Sequence, residues 1–402
     1  MPIRKYKASI LLNRLLRPFL SFYLKQIFNY YIVNKDTLET IKPPYIVLAN
    51  HTNFWDPFLL SLCFSEPVYF VASDAYFRNP VLRQLLKLVG AIPKTKLVSD
   101  PGAIRGILEV IRNRGIIGIF PEGRRNWDGK TLPLLRPTAK LIKSLKIPVI
   151  SVLFKGANLS MPRWARSARK GSLSMELSKV LDTDKIETLT TDEIYEEISG
   201  SLQYNEYDYQ RKHMHRFSGK RKAEHLELFL FSCPQCKSID SMTSQADTFK
   251  CSACGYHAVY NSYGFFESSL NPLHFDNPAD WNLWQLKHLH ALIAERLKSG
   301  LQQAIFHEHS IIMRTGSKRG SLSNDASEGT LTLYPDMLVY THDNNQALQF
   351  PISDISGDNI QFNNQLEFIF NKVLYRFKAK NGRMPAYKFV KAIEAIKSSS
   401  DI

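Results

Sequence analysis

Three observations predict an α/β protein followed by smaller modules. From Ile41 to Asp182, short apolar runs alternate with helical patterns, as in a largely parallel sheet flanked by helices. Four of the five cysteines fall in two CxxC pairs. After residue 326 come short candidate strands and a closing helix, the order of a small β-barrel-like domain. The expected division is an amphipathic helical segment (1–40), an α/β domain (41–225), a cysteine module (226–268), a helical linker (269–325) and the barrel-like domain (326–402). A chain of 402 residues has room for two or three domains.

Residues 7–34 read as one or two amphipathic helices. Leu11, Leu15, Leu16, Phe19, Phe22 and Tyr23 belong to a broad apolar face, and Lys7, Arg14, Arg17 and Lys25 supply cations. Such a helix either packs on its own domain or lies in the headgroup plane of an anionic membrane; the width of the face favours the membrane. No signal peptide is evident, because Arg14, Arg17 and Lys25 break the apolar stretch. No run is long and apolar enough for a transmembrane helix. Candidate strands then cover 45–49, 67–72, 116–120, 147–153 and 173–177, with helices at 56–63, 78–88, 101–114 and 136–145. Residues 183–200 read as an acidic helix, and 201–225 as a helical tail or linker. A further helix is expected at 279–298, a Ser/Gly-rich loop at 315–329, six strands between 330 and 378, and a final helix near 384–398.

The net charge of +15 is unevenly placed. Residues 1–225 hold 36 Lys+Arg against 20 Asp+Glu, a net +16, whereas 226–402 hold 16 against 17, a net −1. The first part therefore suits an anionic membrane, a phosphorylated ligand or nucleic acid.

Two motifs carry chemistry. Asn50-His51-Thr52-Asn53-Phe54-Trp55-Asp56 follows the apolar run 45–49. A neutral imidazole can take a hydroxyl proton near neutral pH, and a carboxylate behind it fixes the tautomer. Five residues apart is not a same-face helical spacing, so the pair meets only if His51 lies in the turn and Asp56 in the first helical turn. The plainer reading is that Asp56 caps the following helix. Phe120-Pro121-Glu122-Gly123-Arg124-Arg125 follows the run 116–119. Two arginines in a glycine-containing turn can grip a phosphate, with Glu122 orienting an arginine or a substrate hydroxyl; a surface turn with a salt bridge is the plainer reading. Both motifs fall at expected carboxyl ends of strands, where ligands gather in parallel sheets.

With these residues the chain resembles the glycerolipid acyltransferase family typified by 1-acyl-glycerol-3-phosphate acyltransferase. His51 and Asp56 match the family's first block. Phe120 to Asn126 match its Phe-Pro-Glu-Gly-Thr-Arg-Ser block, with Arg124 in place of Thr and Asn126 in place of Ser. Gly90 to Lys96 match the second block, with Lys96 where Arg is usual; lysine keeps the charge but loses the fork. Ile147-Pro148-Val149-Ile150 matches the fourth. The resemblance covers about residues 10–215 and implies direct acyl transfer from acyl-CoA or acyl-carrier protein to lysophosphatidate or a related glycerolipid, at the cytoplasmic face of a membrane. It implies His51 as base, Asp56 as its partner, and Glu122, Gly123 and Arg125 on the acceptor phosphate, with Arg124 and Lys96 assisting.

Cys233-Pro234-Gln235-Cys236 and Cys251-Ser252-Ala253-Cys254 have the spacing of a structural zinc ribbon. Four cysteines leave no open coordination position, and metal in such modules supplies roughly 10–16 kcal/mol of apparent binding free energy to folding. The module is not basic, so no nucleic acid partner is expected. Residues 326–398 resemble a pleckstrin-homology or GRAM-like domain in element order. Trp164 among Arg163, Arg166, Arg169 and Lys170 reads as a second headgroup contact or a solvated basic loop. The rival to an enzyme is a non-catalytic membrane adaptor binding lipid or protein through the ribbon and C-terminal domain.

Overall fold

The computed structural model describes residues 6, 8–94, 100–299, 303–317, 322–323 and 326–400. They form two compact units: Met1–Arg163 with Ser167–Gly219 and Ser262–Gly264, and Trp164–Arg166 with Lys220–Asn261 and Phe265–Ile402.

The first unit begins with α1 (Ile10–Phe28) and β1 (Tyr30–Val33). It continues through β2 (Tyr45–Ala49), α2 (Asp56–Ser61), β3 (Val68–Ser73), α3 (Pro80–Leu88), β4 (Ile92–Lys94), α4 (Pro101–Arg112) and β5 (Ile116–Ile119). After these come α5 (Pro137–Leu145), β6 (Val149–Lys155), α6 (Ala157–Ser160), β7 (Leu173–Leu181), α7 (Thr183–Thr188), α8 (Thr191–Leu202) and α9 (Glu206–His213). The sheet order is β1-β7-β6-β2-β5-β3-β4. From β6 to β4 neighbouring strands are parallel; β7 runs antiparallel to β6, and β1 parallel to β7.

β2 is wholly buried because it is central and covered on both faces. Alternate side chains feed two cores. Tyr45, Val47 and Ala49 pack with Leu59 and Leu60 of α2, Phe154 of β6 and Leu24 and Phe28 of α1. Ile46 and Leu48 pack with Ile107 of α4, Ile142 of α5 and Ile198 of α8. In β5, Gly118 is required by close approach, since a Cβ there would lie 2.6 Å from the Phe70 ring.

The second unit holds β8 (Met242–Gln245), β9 (Thr248–Cys251), β10 (His257–Tyr260) and β11 (Phe266–Glu267) in one antiparallel sheet, then α10 (Pro278–Ser299). A second sheet comprises β12 (Phe306–Gly316), β13 (Ser327–Leu333), β14 (Met337–His342), β15 (Ala347–Pro351), β16 (Ser356–Gln361), β17 (Gln365–Phe370) and β18 (Val373–Ala379). Its order is β15-β14-β13-β12-β18-β17-β16, antiparallel throughout, and α11 (Ala386–Ser400) follows. Lys388 of α11 is fully buried and ion-paired to Asp240 beside the cysteines and to Glu308 of β12, so one cation joins both parts of this unit.

Several expectations change. Residues 30–33 are a strand, not helix, and the turn into it runs through Asn29 at φ 47°. β12 was not foreseen. Within the expected helical tail or linker, residues 206–213 are a helix, and it buries Glu206, Tyr207 and Gln210. Trp164 is buried with its ring edge on Tyr260, and Arg163 and Arg169 are buried too, so neither a headgroup contact nor a solvated loop describes them. Of the four cations assigned to the N-terminal segment, Lys7 lies outside the described residues, and Arg17 donates to the carbonyl oxygens of Leu62 and Phe64. Among the described residues no helix is long and apolar enough to cross a membrane.

Candidate active site

Parallel strands put their carboxyl ends on one edge. His51 follows β2, Glu122 to Arg125 follow β5, Tyr76 follows β3, and Lys94 ends β4. The motifs are 71 residues apart in sequence, and hydrogen bonds hold their turns together. The backbone N–H of His51 donates to Glu122 Oε1 at 2.6 Å, and that of Leu132 to Oε2 at 2.8 Å. The Asn126 N–H donates to the His51 carbonyl at 2.9 Å.

Asp56, at the start of α2, is fully buried. Its Oδ2 lies 2.8 Å from His51 Nδ1 and accepts the backbone N–H groups of Thr52 at 2.6 Å and Asn53 at 2.9 Å. The carboxylate thus ties back the turn before α2 rather than capping the helix ahead of it. With Nδ1 donating to Asp56, Nε2 carries the imidazole lone pair. The His51 side chain keeps 19% exposure, and its ring stacks on Phe120 with centroids 4.1 Å apart. Asn50 pins the end of β2 by exchanging hydrogen bonds with the Phe154 backbone of β6.

Glu122 is buried, and its two oxygens face backbone donors. Burial pushes its pKa up to about 8, against the opposing effect of those hydrogen bonds. The sequence reading gave this carboxyl to an arginine or a substrate; the structure gives it to the two turns. Gly123 sits at φ +69°, with Leu135 where a Cβ would be. Arg124 and Arg125 are half-buried on this turn. Burial lowers the Arg125 pKa, while Tyr76 and Asp56 hold it up, which places this cation within the field of the dyad. Arg163 Nη1 donates to the Arg125 carbonyl at 3.0 Å, and its guanidinium covers the Trp127 ring at 4.6 Å.

The structure thus gathers His51, Asp56, Glu122, Gly123, Arg124 and Arg125 at one sheet edge. Lys96 lies outside the described residues. Lys94, two positions earlier, stands at the same edge; burial lowers its pKa, and Asp100 and Asp74 oppose that. Tyr76 and Lys94 were missed, and Arg163 was read as part of a headgroup contact or solvated loop rather than of this site. The basic run around Arg163 was its available signal.

In the second unit, the sulfurs of Cys233, Cys236, Cys251 and Cys254 lie within 4.8 Å of one another. Cys233 to Cys254 is 3.6 Å and Cys236 to Cys251 is 3.7 Å. Tetrahedral Zn–S bonds of about 2.3 Å separate sulfurs by roughly 3.8 Å, so the quartet fits that ion.

Residues 30–155 match the Acyltransferase family model. The matched segment includes both motifs. A 1-acyl-sn-glycerol-3-phosphate acyltransferase of Saccharomyces cerevisiae is 27% identical over 171 residues, 41% of this chain and 54% of its own. The chloroplastic 1-acyl-sn-glycerol-3-phosphate acyltransferase BAT2 of Brassica napus is 22% identical over 129 residues, 32% of this chain and 37% of its own. The chain thus spans about half the length, or less, of these curated relatives. The crystal structure of the 1-acyl-sn-glycerophosphate acyltransferase PlsC from Thermotoga maritima aligns with a TM-score of 0.42 and 18% identity, over 47% of this chain and 76% of that one.

The Glu122 environment has a pH signature. The folded chain holds this proton up to about pH 8, whereas an exposed glutamate loses it near 4.5. Between those values the native state binds more protons than the unfolded state, so this group's contribution to stability falls as pH rises. Denaturant unfolding from pH 5 to 9 is expected to show this decline in the wild type and to lose that component in Glu122→Gln. Parallel pH dependences in the two proteins would contradict it.

Proposed function

We propose that this protein is a membrane-surface acyltransferase. It moves a fatty acyl group from acyl-CoA or acyl-carrier protein to the hydroxyl of lysophosphatidate or a related glycerolipid. The observation that carries the reading is the His51–Asp56 pair at 2.8 Å, tied through Glu122 to the turn that bears Arg124 and Arg125. His51 Nε2 takes the acceptor hydroxyl proton as its oxygen attacks the thioester carbonyl, and Asp56 stabilises the imidazolium. The carbon–sulfur bond then breaks, and the leaving thiolate recovers the proton from His51. Arg124 and Arg125 on the Gly123 turn hold the acceptor phosphate, with Lys94 at the same edge and Lys96, the residue named by the family resemblance, assisting. Glu122 acts by positioning the two turns.

The membrane part of the proposal rests on α1. Leu11, Phe19 and Phe22 are 70%, 74% and 69% exposed, with Arg14 and Lys25 on the same helix. A helix of this kind lies in the headgroup plane. Tyr23 packs on Trp55, and Trp55 on the exposed Phe54 and Phe58, so the apolar surface runs on to the turn that carries His51. Acceptor lipid would reach the base without leaving the interface. The cytoplasmic face is part of this reading.

Zinc is the ion proposed for Cys233, Cys236, Cys251 and Cys254, in a ribbon whose closed coordination makes it structural. The sheet of β12 to β18 with α11 has the element order of a pleckstrin-homology or GRAM-like domain.

Two experiments test these assignments. His51→Ala is expected to lower thiol release from acyl-CoA by about 10²- to 10⁴-fold with unfolding unchanged, while Arg125→Ala mainly raises the acceptor KM. Near-wild-type turnover by His51→Ala would remove the base, and an unchanged KM would remove the phosphate grip. Metal analysis of the full chain is expected to give one zinc per molecule, with Cys233 and Cys251 resistant to alkylation until a chelator is added. A metal-free protein with freely alkylated cysteines would contradict the ribbon.

A further inference from the structure

We propose that Glu206, downstream of every sequence block that carries the family resemblance, is a positioning residue for acyl transfer, bracing both turns that hold His51. The inference rests on the reaction proposed above. Glu206 opens α9 and is buried. Its Oε1 accepts the Gly156 N–H at 2.9 Å and the Tyr204 hydroxyl at 2.8 Å. Its Oε2 accepts the Asn158 N–H at 3.1 Å. Burial pushes its pKa up to about 7, and these hydrogen bonds pull the other way. Among the described residues no cation pairs with it. A carboxyl buried without a cation is costly, and here the cost is offset by the donors of one turn and a neighbouring tyrosine.

Two chains of hydrogen bonds lead from this carboxyl to the base. The first runs through the turn from β6 into α6, which Glu206 holds at Gly156 and Asn158. Between those two residues, the Ala157 carbonyl accepts Asn53 Nδ2 at 3.2 Å. Asn53 in turn donates its N–H to Asp56 Oδ2, the oxygen that lies 2.8 Å from His51 Nδ1. The second chain runs through the loop after the two arginines. The Glu206 N–H donates to the Gly129 carbonyl at 3.0 Å. A Cβ on Gly129 would stand 2.7 Å from the Glu206 Cβ, so glycine is what lets the two segments close. The Gly129 N–H donates to Asn126 Oδ1 at 3.2 Å, and the Asn126 N–H donates to the His51 carbonyl. Thr131 adds a parallel tie, from its N–H to the Tyr204 carbonyl and from its hydroxyl to the Leu202 carbonyl. Both chains end on His51, one at its ring and one at its backbone. Neither passes through the Arg124 or Arg125 side chain. A small displacement of a reacting group is felt in the chemical step, so the effect falls on kcat rather than on the acceptor KM.

The test uses the full-length protein. In Glu206→Gln an amide NH₂ must face one of the backbone donors. This variant is expected to lower kcat for thiol release from acyl-CoA with lysophosphatidate about tenfold, with the acceptor KM unchanged. In a His51→Ala background the same change is expected to add no further loss, because Glu206 acts through that ring. Tyr204→Phe removes a single hydroxyl from the carboxyl. It is expected to lower kcat about threefold and covers the case in which Glu206→Gln misfolds. Hydrogen exchange supplies a readout that needs no turnover. The Thr52 and Asn53 N–H groups, which donate to Asp56, are expected to exchange about tenfold faster in Glu206→Gln than in the wild type, with those of β2 unchanged. Unchanged exchange at Thr52 and Asn53, a raised KM with kcat intact, or an equal loss in the His51→Ala background would overturn the brace. A wild type that releases no thiol, while exchange responds as expected, would remove the reaction and leave the brace on the His51 turn standing.

Discussion

One buried carboxyl group organises the candidate active site. Glu122 reaches from the turn after β5 and accepts the His51 backbone N–H, while its other oxygen accepts that of Leu132. Asp56 does the same within the first turn, gathering two backbone N–H groups and the His51 ring on one oxygen. Two acidic side chains thus fix three loop segments whose backbone donors would otherwise need water. Removing either acid would leave buried N–H groups unsatisfied, at about 1–3 kcal/mol each. The loops around a reacting centre can therefore be irregular and still hold one geometry.

The sheet makes this bonding possible. β2 and β5 are adjacent and parallel, so the turns that follow them emerge side by side. The α2 segment closes against the core through Leu59 and Leu60, which carries Asp56 inward and leaves Phe54 and Phe58 outward. One short stretch, 50–58, therefore holds the proposed base, its orienting acid and part of the exposed apolar surface. The cations arrive separately, on the Gly123 turn, whose left-handed glycine allows Leu135 to pack where a side chain would stand.

Much of this was legible in the sequence because it is local. The apolar runs at 45–49 and 116–119 marked central strands, and the residues after them marked the site. The cysteine spacing marked its own cluster. The His51–Asp56 pairing was read, but the way Glu122 and Asp56 tie down the turns was less legible, because the groups they hold there are backbone N–H groups, which no pattern of side chains records. β1 was hidden because Tyr30–Val33 continues the apolar run of α1, with only Asn29 as a stop signal. β12 opens on His307, Glu308, His309 and Ser310, a polar start that masks the apolar residues after it, and a register shift falls between Glu308 and Ile311. Trp164 shows the opposite error: an aromatic residue among arginines looked like surface, and tertiary packing buries it.

The two units pose separate chemical questions, and the first is the central one. The most direct measurement mixes purified protein with acyl-CoA and lysophosphatidate, follows free thiol and identifies the lipid product by mass spectrometry. The account expects thiol and phosphatidate to appear one for one. No thiol release with lysophosphatidate, other lysolipids or glycerol phosphate, from either acyl-CoA or acyl-carrier protein, would contradict it and leave the His51–Asp56 pair without a reaction to serve.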